Sequence, residues 1–258
     1  VVAVIRRGPT DWCHLGRWDL AAGRYEPGAW IRATIYPQKC DLSPDGRWFA
    51  ASILKPNADW PAGDIYEAVS RLPWLTALAA WNAGTTYTRG IHFADGPGES
   101  ALGDPDVGDA APILERYRLD LYRPVQFAVE RRRGWVESAD TPPRDRGGAW
   151  DERRMVTMEK RQPGDGVWTL LVTGGYGGHR TMPAWYGPAE YALSDGADLE
   201  MLGGVQWAEW DQWGRLLVAT TSGRLQVRDP RGGAMPFDAD LTRLRPDPQA
   251  PPAWAGEF

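Results

Sequence analysis

Short apolar or alternating runs recur along the chain, each pair separated by a polar stretch that carries a glycine. WIRATIY and RWFAASIL flank the first such turn, and LTALAAW and IHFA flank the second. VQFAVE and WVESA, MVTME and VWTLLV, and VQWAEW and RLLVAT flank the next three. A two-residue alternation places side chains on opposite faces of a strand, so each run predicts a β-strand and each pair predicts a hairpin. No stretch holds helical periodicity beyond about a dozen residues. ALAAWNAG comes nearest, and its neighbours make it a strand. In CDLSPDGRW, proline presets one backbone angle while Asp and Gly tolerate the conformations that follow, so Pro-Asp-Gly marks a turn. AEWDQWGRLLVAT, far along the chain, repeats the acid, the Gly-Arg pair and the apolar strand of CDLSPDGRWFAAS.

Gly46, Gly90, Gly134, Gly166 and Gly214 occupy these turns at spacings of 44, 44, 32 and 48 residues, averaging 42. That period is about one four-stranded blade. An all-β propeller of five blades of four-stranded antiparallel sheet is predicted, with four and six as neighbouring counts. Residues 1–245 form a single domain in this reading, and strands from both termini complete a shared blade, removing exposed edges. The acidic, Gly- and Pro-rich segments 95–112 and 140–151 read as surface insertions, and 246–258 as an extended or disordered tail.

DLSPDGRWFAAS resembles the hairpin that recurs in WD40-like and TolB-like β-propellers. GRWDLAAGR resembles the strand of those repeats that carries a Trp-Asp pair before a glycine turn. The resemblance lies mostly in residues 12–54 and 203–230; it implies the propeller fold and names no activity.

Composition narrows the classes. Hydrophobic residues at 43% and charged residues at 24% exclude a disordered chain. A net charge of −5 gives no general attraction to nucleic acid or an anionic membrane, and ERRRG at 130–134 is a single basic cluster. No run approaches the roughly 20 apolar residues of a membrane span, and VVAVIRRGPT has the wrong order for a secretory signal. A cytoplasmic protein is expected, with Cys13 and Cys40 as reduced, buried thiols.

Chemistry is sparser. Asp41, Ser43, Asp45 and Gly46 overlap the start of a calcium loop, but Ser52 stands where a bidentate Glu belongs. Cys13, His14 and Cys40 fall short of the four ligands of structural zinc. GGYGGH at 174–179 lacks the Lys-Ser or Lys-Thr of a phosphate loop. No metal and no cofactor are expected. Fifteen tryptophans suit either packing between blades or contact with a ligand. Trp74, Trp185, Tyr186 and Trp210, with Arg32 and Arg71, are the expected binding residues of a non-catalytic scaffold whose partner is another protein, because aromatics beside Arg are the usual anchors of interfaces. The alternative is a carbohydrate-active propeller, a glycoside hydrolase or a sugar binder, with Asp41, Asp120 and Glu209 as carboxylates and Trp74, Trp81, Trp185 and Trp210 as stacking platforms.

Overall fold

The structure is a computed structural model and describes residues 1–122, 126–139, 156–174, 189–230 and 236–258. The chain is all-β, with antiparallel sheets throughout the described residues. It divides into two compact units, 1–129 with 244–258, and 130–243.

The first unit holds three sheets. β1 (Val2–Arg7), β2 (Trp12–Asp19) and β3 (Arg24–Arg32) form the first, in chain order. The second is ordered β10-β8-β7-β6-β4, with β5 also on β6. Its strands are β4 (Thr34–Ile35), β5 (Asp41–Leu42), β6 (Trp48–Leu54), β7 (Ile65–Arg71), β8 (Ala77–Asn82) and β10 (Val107–Gly108). The third pairs β9 (Ile91–Asp95) with β11 (Tyr117–Leu121), and a short helix α1 (Ala111–Leu114) packs on β11.

Among the described residues the second unit holds two more sheets, both meandering in chain order. β12 (Val136–Glu137), β13 (Val156–Arg161), β14 (Thr169–Gly174), β15 (Glu190–Ser194) and β16 (Leu199–Met201) form one. β17 (Val205–Trp210), β18 (Leu216–Thr220), β19 (Arg224–Arg228) and β20 (Phe237–Asp240) form the other. The division between units falls inside α2 (Ala128–Arg132).

The second sheet is buried on both faces, which is why WFAASIL reads as a continuous apolar run. Cross-strand register sets Ala51, Ala68 and Ala80 in one row, and these small side chains let Cys13 and Leu15 of β2 pack close. On the opposite face Ala50, Val69 and Ala79 form a row, flanked by Trp48 and Trp81, against Ile91, Phe93 and Leu119. Each fully buried large side chain stabilises by roughly 1.5–3 kcal/mol.

The two matching turns share one design. Trp48 N–H donates to Ser43 Oγ at 2.9 Å, Ser43 Oγ–H donates to Asp45 Oδ1 at 2.6 Å, and Gly46 sits at φ 71°. In the later copy Asp211 takes Ser43's place: Trp213 N–H and Arg215 N–H each donate to its Oδ1 at 2.9 Å, and Gly214 sits at φ 74°. The side chains of both turns thus close the local backbone, as such residues do in tight loops.

Several expectations change. VQFAVE, expected as a strand, contains the start of α2, where Ala, Glu and Arg carry helical preference. Gly90 does not turn a hairpin: β8 pairs with β7 and β10, whereas β9 pairs with β11, so this glycine joins two sheets. The β13–β14 hairpin exists, but its positive φ falls at Gly164 instead of Gly166. Segment 95–112 supplies β10 to an edge of the second sheet and begins α1. Among the described strands, β1 pairs with β2, and β20 with β19. The described strands number three, six, two, five and four per sheet in place of a uniform four. Segment 140–151 lies outside the described residues. The tail runs without regular structure through 246–252 and then forms a 3-10 turn at Ala253–Gly256, packed on β7.

Gly90 is where close approach decides the residue. A Cβ there would lie 2.4 Å from Lys39 Cβ and 2.6 Å from Lys39 O, at φ 75°. Gly90→Ala is expected to cost about 3 kcal/mol in urea unfolding, because backbone must move. Gly23→Ala, at φ 59° in open space, should cost only about 1 kcal/mol. Equal losses would remove the packing role assigned to Gly90.

Candidate functional site

Polar chemistry gathers at one end of the interface between the second and third sheets. Register aligns Ser52, Glu67 and Trp81 across β6, β7 and β8. Glu67 is 1% exposed. Thr88 Oγ1–H donates to its Oε1 at 2.8 Å and Ser52 is its cross-strand neighbour, while Oε2 has no partner. Burial raises this carboxyl to about 7, against the smaller opposing effects of Thr88, Ser52 and the Lys39 charge.

Lys39, on the 3-10 turn Pro37–Lys39, is also buried. Its ammonium donates to Thr86 O and lies 5.1 Å from the centre of the Tyr36 ring. Burial pulls its pKa down, with Glu67 and Cys40 pulling the other way. Tyr122 O–H donates to Cys40 O at 3.0 Å, and the His92 ring lies 4.8 Å from that of Tyr122. The sequence signal for Glu67 was a lone acid inside the apolar strand IYEAVSR. Lys39 had none, because only the fold buries it.

The second unit has a comparable cluster. Glu209, at the end of β17, accepts from Trp135 Nε1 at 2.9 Å through Oε2. Its Oε1 takes Trp210 N–H at 2.8 Å and pairs with Lys160 Nζ at 3.0 Å. Lys160 Nζ also donates to Arg133 O at 2.7 Å. Burial raises the Tyr191 phenol, and the Glu130 and Glu209 charges add to this.

The expected carboxylates are therefore in structural service. Asp41 Oδ2 accepts Phe93 N–H at 3.0 Å, joining β5 to β9. Asp120 forms a two-pronged pair with Arg118, at 3.0 and 2.8 Å, on an exposed stretch of β11. Glu209 belongs to the other unit, with both oxygens engaged. Successive residues of a strand point to opposite faces, so Cys13 enters the core shared with Cys40 whereas His14 faces away. His14 donates from Nδ1 to Ala29 O at 3.1 Å and stacks on Trp30 at 4.6 Å. Burial lowers its pKa. Both cysteines are buried free thiols, and no metal-holding cluster occurs among the described residues.

Of the expected binding residues, Trp185 and Tyr186 lie outside the described residues. Trp210 is corrected to a packing role: it is 4% exposed, and its indole N–H donates to Lys160 O at 3.0 Å. Trp81, offered as a sugar platform, is likewise buried and donates to Gly103 O at 2.9 Å. Arg32 is exposed, with its guanidinium 5.0 Å from the Trp12 ring centre.

Arg71 and Trp74 stand together beside the end of β7, with Trp74 N–H donating to Arg71 O at 2.8 Å. The Arg71 guanidinium lies 5.8 Å from the Trp48 ring centre and 5.1 Å from that of Trp254. Its Nη1 donates to Trp254 O at 2.9 Å. Phe258 completes the group, its ring 5.8 Å from that of Trp48. Trp254 at 38% and Phe258 at 39% remain partly exposed. Arginine with indoles on a surface is the composition of an interface anchor. Neither tail aromatic was an expected site residue, because the proline-rich approach to them gave no sign of docking.

A buried acid whose pKa is raised stays protonated in the folded protein at pH values where the unfolded chain has ionised. Stability from Glu67 is complete below its unfolded value of 4.5 and falls as pH rises through about 7. The loss is on the order of 3 kcal/mol. Glu67→Gln removes the ionisation, so the variant should gain on its parent in urea unfolding between about pH 5 and about pH 8. A difference between the two proteins that stays constant with pH would contradict this assignment.

No family model, curated protein or solved structure matches the chain.

Proposed function

We propose that the protein is a non-catalytic binding scaffold of the five-bladed propeller kind, similar in plan to WD40-like and TolB-like repeats, whose partner is another protein. Of the five antiparallel sheets among the described residues, the first and the last two run in chain order, which supports the blade plan. The observation that carries the binding reading is Arg71, held near both Trp48 and Trp254 with Trp74 alongside. Anchors of this type dominate interface energies when a partner covers them.

Carbohydrate binding without hydrolysis is the second reading, favoured by Trp213, a residue 54% exposed on the β17–β18 turn. Hydrolysis is less well supported, because the general acid of a glycosidase must be free to give up a proton. Asp41 is tied to backbone, Asp120 to arginine, and Glu209 to an indole and a lysine.

Selection of a displayed peptide library on the purified chain, run beside a glycan array, tests the reading. Peptides that bind the parent and lose about tenfold or more on Arg71→Ala are the expected result. Glycans without peptides would replace it by the second reading, and no ligand in either screen would overturn both.

A further inference from the structure

The surface around Arg71 already carries a short segment, the chain's own residues 253–258. They reach it through 246–252, PDPQAPP, a segment without regular structure that is exposed from Asp247 to Pro251. Its side-chain bonding includes the local contact from Gln249 Nε2 to Asp247 Oδ1 at 2.6 Å. Before this segment Arg6 Nη1 donates to Leu244 O at 3.2 Å. Beyond it the chain turns once: Ala255 N–H donates to Pro252 O at 2.9 Å, and Ala255 is fully buried. An extended proline-rich lead followed by one anchored turn is how a short linear peptide occupies a groove.

The fit is incomplete. Trp48, beside Phe258, is 3% exposed, and its indole N–H has no acceptor. A buried donor left unpaired weakens the contact that leaves it so. The tail's two large rings remain over a third exposed. The tether compensates, since a linker this short gives an effective concentration of about the millimolar order.

We infer that the surface beside Arg71 and Trp48 is a recognition site for a linear segment of a partner protein, proline-led with an aromatic residue at the turn, and that residues 253–258 act as a built-in competitor for it. This rests on the scaffold reading above and adds the site, the ligand class and a means of control. A partner segment displaces the tail, frees Trp254 and Phe258, and takes over the Arg71 hydrogen bond. A partner must therefore outbind a tethered tail, which rejects weak aromatic peptides.

The test uses the 258-residue chain and a fluorescein-labelled synthetic peptide of residues 246–258. Trp254→Ala combined with Phe258→Ala weakens the tethered copy at partly exposed positions, so the fold should survive; thermal unfolding checks that. The peptide should bind this variant about tenfold or more tightly than the parent. Adding Arg71→Ala, or Arg71→Lys, which keeps the charge but not the planar fork, should abolish the gain. Binding that is equal in parent and variant, insensitive to Arg71, or absent from a folded variant would overturn the inference. Dimerisation of the parent at the working concentration would overturn it too, assigning the surface to the tail of a second copy. None of these outcomes bears on the library selection, where binders insensitive to Arg71 would leave a scaffold acting through another surface.

Discussion

Burial of β6 and β7 on both faces is the constraint from which most of the first unit follows. A strand with one face in water can alternate polar and apolar residues; one covered on both sides cannot. WFAASIL and IYEAVSR therefore admit little besides small and apolar side chains. The alanine row Ala51, Ala68 and Ala80 lets one neighbouring sheet approach, while Trp48, Trp81 and Phe93 fill the larger gap on the other side. Gly90 has to be glycine because Lys39 passes against it, and Lys39 is buried because the third sheet closes over the polar end of this interface.

Polar groups inside such an assembly stay only where the fold supplies partners, and the two buried glutamates do this differently. Glu209 has donors on both oxygens, including a lysine and an indole, and acts as a pin. Glu67 has one hydroxyl partner, a lysine charge nearby and one oxygen without a partner. The first arrangement resists change, while the second stores a dependence on pH in the sheet that everything else packs against. Neither looks out on a reacting group, which is why the surface around Arg71 carries the functional argument.

Much of the fold was legible because turn chemistry is local. Gly46 and Gly214 sit where Pro-Asp-Gly and Gln-Trp-Gly place them, and Asp211 closes its loop as Ser43 and Asp45 close theirs. Local signals misled where two choices were close in energy. VQFAVE has the apolar content of a strand, yet Ala-Val-Glu-Arg-Arg favours helix once no neighbouring strand claims it. Gly90 looked like a hairpin glycine because a sheet-to-sheet crossing needs the same positive φ. The site was less legible still. Arg71 and Trp74 stood out beside a proline, whereas Trp210, in the strand VQWAEW, is core. Trp254 and Phe258 meet Arg71 and Trp48 across most of the chain's length, and no local pattern encodes a contact that distant.

Amide hydrogen exchange of the 258-residue chain, read by mass spectrometry, tests most directly whether β6 and β7 are the keystone. Amides of Trp48–Leu54 and Ile65–Arg71 should be the slowest to exchange in the first unit, opening only with global unfolding. Exchange there as fast as in Val2–Arg7, whose side chains are mostly half-buried, would contradict the account.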